Sequence, residues 1–166
     1  MPVRLRQTSP PGVLLSIDAL LARARAGLRR LPPAEAFAAA SRGEAYIVDT
    51  RPEFQRRSGG EVPGAIVIER NHLEWRLDPR CDARIPEATS AQIRWIILCD
   101  EGYSSSLAAS ALRQIGLANA TDVIGGFQAW IADGLRVSRP AALTRPRGPG
   151  EPGTDPRPTA AERACG

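Results

Sequence analysis

The chain has 166 residues, 43% of them hydrophobic and 24% charged, which suits one globular domain with residues to spare for tails. No apolar run approaches the roughly 18 residues of a membrane span, and Pro10, Pro11 and Gly12 interrupt the N-terminus before a signal-peptide core can form. The formal net charge is +4, and all 22 basic residues are Arg. With abundant Ala, Gly and Pro, this fits the codon bias of a GC-rich, bacterial genome. The Arg residues are scattered, aromatics are only 5%, and no nucleic-acid-binding motif accompanies them. Neither a nucleic-acid partner nor a membrane partner is expected.

Residues 1–14 are Pro- and Arg-containing and are expected to be flexible. Ser16 reads as the N-cap of a helix over Ile17–Ala26, with Asp18 in the first turn and Gly27 ending it. Ile17, Leu20, Leu21 and Ala24 give this helix one apolar face. Leu28–Leu31 suits a short edge strand. Pro32 and Pro33 open a second helix, Ala34 to Ser41. Ala45–Asp49 is an apolar, β-branched run that predicts a buried strand. Residues 51–63 read as a polar connection, and Ala65–Ile68 as another short strand.

His72–Leu77 suits a short helix, and Cys81–Thr89 a loop. Trp95–Cys99 is the strongest strand signal, followed by a Gly-containing turn. Ser104–Ile115 predicts a helix whose apolar face is Leu107, Ala108, Ala111, Leu112 and Ile115, capped by Gly116. Thr121–Ile124 is the last predicted strand and Phe127–Ala132 the last helix. This alternation predicts an α/β domain over residues 15–137 with a mainly parallel sheet. Six Pro and four Gly in the 29 residues 138–166 predict a disordered tail.

Three Cys, at 81, 99 and 165, form neither a disulfide framework nor a zinc site. A reducing cytoplasm is the expected compartment. Cys99 is the candidate for chemistry. It ends a buried strand and precedes the turn Asp100-Glu101-Gly102-Tyr103, at the sheet edge where ligands bind in open α/β folds. A loop curling there into a helix turns backbone N–H groups inward, and those stabilise a thiolate nucleophile. Ser104 and Ser105 add hydroxyls. Read from position alone, a Cys closing an apolar strand is more often a small buried hydrophobe than a nucleophile.

Four segments in order carry a family resemblance: VDTRPEF at 48–54, GGEVPGAIVI at 59–68, CDEGYSSSLAASAL at 99–112 and VIGGFQAWIADGL at 123–135. Together they resemble the single-domain rhodanese-like sulfurtransferase family. The resemblance implies a five-stranded, mainly parallel sheet flanked by helices, to which this chain adds an N-terminal helix. It implies that Cys99 accepts a sulfane sulfur as a persulfide and passes it to a thiol or cyanide, or to a protein acceptor. The loop Asp100, Glu101, Gly102, Tyr103, Ser104 and Ser105 would hold that persulfide, with no organic cofactor or metal.

Arg70, at the carboxyl edge after the strand Ala65–Ile68, is a candidate for positioning an anionic substrate. Asp49 and Arg51 suit a structural ion pair. Glu61 stands where the family usually has His and reads as a solvated turn residue. His72 has no assigned part, and Trp75, Trp95 and Trp130 read as core or rim packing. Asp100 and Glu101 disfavour thiosulfate as donor. Two other readings compete. A cysteine-dependent phosphatase would need an Arg closing the loop, where Ser105 stands. A non-catalytic rhodanese-like module that binds a partner suits the acidic loop and the extra helix.

Overall fold

The computed structural model describes residues 14–139. Ser16 Oγ accepts from Ala19 N at 3.1 Å and opens helix α1, Ile17–Ala26, which Gly27 ends. Leu31 then pairs with Val123 as a single parallel bridge. The edge strand expected over Leu28–Leu31 goes no further. Pro32 and Pro33 follow at once, and proline has no N–H to continue a ladder. Instead they start α2, Pro33–Ser41.

Strand β1, Tyr46–Asp49, leads into α3, Glu53–Gly59, where a polar connection was expected. This helix buries none of its residues, so it carries no apolar stripe to read. An i,i+4 ion pair between Arg57 and Glu53 supports it. Strand β2, Ile66–Val67, is followed by a 3-10 turn, Arg70–His72, and by α4, Leu73–Leu77. Strand β3 is Trp95–Leu98, α5 is Ser104–Gln114, β4 is Thr121–Asp122 and α6 is Gly126–Ala132.

The sheet is parallel, with order β2-β1-β3-β4. Among the described residues it has four strands rather than five, because the Leu31 bridge is too short to count as one. Alternation along β3 divides the core. Trp95 and Ile97 join Leu73, Leu77, Ala108 and Leu112 on one face, while Ile96 and Leu98 join Ala36, Ile47, Phe127 and Trp130 on the other.

α1 packs on α5. Of its expected apolar face only Leu21 and Ala24 are buried, while Ile17 and Leu20 are exposed. The face of α5 is also rotated from expectation. Ser105, Ala108, Ala109 and Leu112 are buried and Ile115 is exposed, because Ser105 and Ser106 find polar partners inside. Trp95 and Trp130 are core residues, but Trp75 is mostly exposed.

Glu61 is more than a solvated turn residue: its backbone pairs antiparallel with Ser138, the first residue of the expected tail. The rest of that tail from residue 140, Cys165 included, and residues 1–13 lie outside the described residues. No helix among the described residues is long and apolar enough to cross a membrane.

Candidate active site

Cys99 follows β3 at the carboxyl edge of the sheet and is 6% exposed. Its Sγ accepts from the backbone N–H of Gly102 at 3.1 Å and of Ser105 at 3.4 Å. The thiol donates to Ser105 Oγ at 3.2 Å. Two of the six loop residues proposed from sequence therefore touch the sulfur, one of them by amide and hydroxyl together.

The loop is held in place by bonds to its carbonyls. Phe127 N donates to Cys99 O at 2.8 Å, and Gln128 N to Asp100 O at 2.9 Å. The Gly102 carbonyl accepts from Arg25 Nη2 and Arg30 Nη2. These bonds fix the path of the loop around the sulfur, and the two N–H groups that reach it from Gly102 and Ser105 make the anion-binding arrangement of a loop nest.

The close approach of α6 to the loop explains the double glycine. A Cβ on Gly126 would stand 2.5 Å from Cys99 O, and one on Gly102 would stand 2.7 Å from Gly125 N. Gly102 and Gly126 also have φ of +82° and +60°, where side chains are strained. Gly126 thus lets two segments touch by backbone.

A cavity of about 410 Å³ opens beside the sulfur. Asp100, Glu101, Tyr103 and Ser104 line it from the loop, Arg70 from the segment after β2, and Thr50, Pro52 and Gln55 from the end of β1 and α3. Arg70 thus reaches the site, where it also pairs with Glu74 at 2.9 Å. Asp100 is fixed at the wall by Gln128 Nε2, 3.0 Å from its Oδ1. Ser104 and Tyr103 are exposed at the rim and make no bond to the sulfur. His72 is exposed and does not line the cavity.

Asp49 and Arg51 form the expected ion pair, 2.7 Å apart and buried. Sequence reasoning missed Gln55, Gln128, Ser106 and Asp122. Asp122 is wholly buried within the predicted strand Thr121–Ile124. A carboxylate in such a strand demands partners, and that was the available signal. Among the described residues no group of acidic, His and Cys side chains is arranged to hold a metal.

The family model for the rhodanese-like domain matches residues 33–133. Among curated proteins, the adenylyltransferase and sulfurtransferase MOCS3-2 of Zea mays is 36% identical over 92 residues, which are 55% of this chain and 18% of that protein. The chain spans about a fifth of the length of the curated relatives it matches. Among solved structures, a Rhodopseudomonas palustris protein of unknown function, described as a possible tyrosine phosphatase, aligns with TM-score 0.69 and 28% identity. The alignment covers 78% of this chain and 99% of that one. The thiosulfate sulfurtransferase of Pseudomonas aeruginosa is similar in fold, with TM-score 0.59 and 22% identity over 72% of this chain and 21% of that one.

Proposed function

The chain belongs to the rhodanese-like domain family, and from that premise we propose that it is a sulfurtransferase carrying a sulfane sulfur as a persulfide on Cys99. The observation that supports this best is the sulfur of Cys99 held by the Gly102 and Ser105 amides at the wall of an open cavity. The Cys99 thiolate attacks the outer sulfur of a donor. A bond forms between Sγ and that sulfur, and the donor's own sulfur bond breaks with its electron pair leaving on the donor remnant. The extra negative charge sits on the outer persulfide sulfur, within reach of the loop amides. An acceptor thiol, cyanide or protein thiolate then attacks that outer sulfur, and Cys99 leaves as thiolate. No redox change of the protein results.

Phosphoryl transfer is disfavoured by the same loop. A phosphate needs a guanidinium fork facing it. The loop from Cys99 to Ser105 contains no Arg, and Arg25 and Arg30 bind the Gly102 carbonyl and do not line the cavity. The test is mass spectrometry of the Cys99 peptide after exposure to thiosulfate, inorganic polysulfide or a low-molecular-weight persulfide. At least one donor adds one sulfur atom to Cys99, and cyanide removes it as thiocyanate. Failure of every donor, with Cys99 still open to alkylation, would leave a partner-binding module as the better reading.

The wall charges predict donor preference. Asp100 and Glu101 face a cavity that thiosulfate would enter as a dianion. Each close like-charge pair costs about 1 kcal/mol even in water-like surroundings, about fivefold in rate. Replacing Asp100 by Asn and Glu101 by Gln raises kcat/KM for thiosulfate several-fold at low ionic strength. The gain shrinks as salt screens the charges. Unchanged or lower turnover at low salt would show that these carboxylates do not meet the donor.

A further inference from the structure

We propose that Arg25, Arg30 and Asp122 are positioning residues for Cys99, a charge set beneath the sulfur loop with members of opposing effect. Both arginines lie before residue 33, outside the segment that the family model matches. The added helix α1 and the link after it thereby become part of the site. The inference rests on Cys99 as the reacting thiol.

Arg25, in the last turn of α1, donates from Nη2 to Gly102 O at 2.8 Å and from Nε to Ser106 Oγ at 3.1 Å. Arg30 donates from Nη2 to the same carbonyl at 3.1 Å. Arg30 also grips Asp122 with both edges of its fork, Nε to Oδ1 at 2.8 Å and Nη2 to Oδ2 at 3.1 Å. Asp122 Oδ2 accepts as well from Ser105 Oγ at 2.9 Å and Ser106 Oγ at 2.8 Å. Its side chain is 0% exposed and that of Arg30 only 16%.

The two guanidinium groups bind the carbonyl of the residue whose N–H binds the sulfur. They pull this stretch of the loop down and place positive charge beneath it, which the loop's own Asp100 and Glu101 do not supply. They therefore favour the ionised sulfur. Asp122 acts the other way. By accepting the Ser105 hydroxyl's hydrogen bond, it leaves Ser105 Oγ as an acceptor for the Cys99 thiol, a bond that only the protonated sulfur can make. Its own charge opposes the thiolate too. The other charged or titratable groups around Cys99 are Asp100, Glu101 and Tyr103 on the loop, the Asp49–Arg51 pair at the end of β1, and Arg70 with Glu74. All of them are left in place in the test.

The readout is the pH at which iodoacetamide alkylation of Cys99 in the full chain reaches half its maximal rate, followed by peptide mass spectrometry. It needs no turnover, so the sulfurtransferase reading can fail without deciding this one. Arg25→Gln moves the midpoint up by about half a pH unit or more, and Arg25→Lys, which keeps the charge, recovers at least half of that shift. Asp122→Asn moves it down by about one unit, roughly tenfold more reactive thiolate at a pH below both midpoints. A set that only braced the loop would lose the sulfur's amide bonds in every variant, and all midpoints would rise together. A rise or no change in Asp122→Asn overturns the proposal, as does no rise in Arg25→Gln or no recovery in Arg25→Lys. If Asp122→Asn does not fold, the two Arg25 variants decide it alone.

Discussion

Cys99→Ser lowers sulfur transfer below about a thousandth of the wild-type rate while the fold survives. The loss is chemical. A serine hydroxyl is hardly ionised near neutral pH, and its oxygen does not store a sulfane sulfur for a second attack. The survival is structural. The Gly102 and Ser105 amides and the Ser105 hydroxyl already surround the sulfur with polar partners, so an oxygen there is not orphaned. A stability change of about 1 kcal/mol is expected, the size of one altered hydrogen bond. Thiocyanate formation from cyanide, read beside a urea denaturation curve, checks both halves. Residual activity above about a tenth would mean that a different thiol carries the sulfur. Cys81, half-buried in its loop, and Cys165 would then be replaced in turn.

What the sequence made legible is what is local. Cys99 was found because a buried strand, a short glycine turn and a helix start within a few residues of one another, and that order places the sulfur at the sheet's carboxyl edge whatever the rest of the chain does. Ser16 and Gly27 bound α1 as their side-chain and backbone chemistry dictates. α3 was illegible because periodicity is its only sequence signal and it has no buried face. The edge strand at Leu28–Leu31 failed because two prolines set its end, a local rule outweighing an apolar pattern. The support of the site was hidden for a different reason. Arg25 and Gly102 are 77 positions apart, and Arg30 and Asp122 are 92 apart. In a chain whose basic residues are all Arg, composition does not mark which of them turn inward.

Arg51→Ala destabilises the domain by about 3–5 kcal/mol, the cost of breaking a buried ion pair from one side. The side chain is 0% exposed, donates from Nε and Nη2 to both oxygens of Asp49, and donates from Nη2 to Gly60 O at 2.9 Å. Its guanidinium carbon lies 3.5 Å from the centre of the Phe127 ring, which faces the charge with its electron-rich side. Truncation removes all of these contacts at once and leaves Asp49, 1% exposed, as a buried charge without its counter-ion. For a domain of this size that is a large share of the usual 5–15 kcal/mol of total stability. Replacing Asp49 by Leu and Arg51 by Met together should cost clearly less than the sum of the two single changes, because no unpaired charge then remains. Denaturant midpoints of the three variants measure the coupling, and strict additivity would show that the pair does not act as a unit. The pair also ties stability to the site. Arg51 joins the strand end at Asp49, the Gly60 turn and, through Phe127, the start of α6, whose backbone N–H groups bind the Cys99 and Asp100 carbonyls. Loss of Arg51 therefore loosens both walls of the cavity, and the sulfur loop loses its amide geometry before the domain unfolds as a whole.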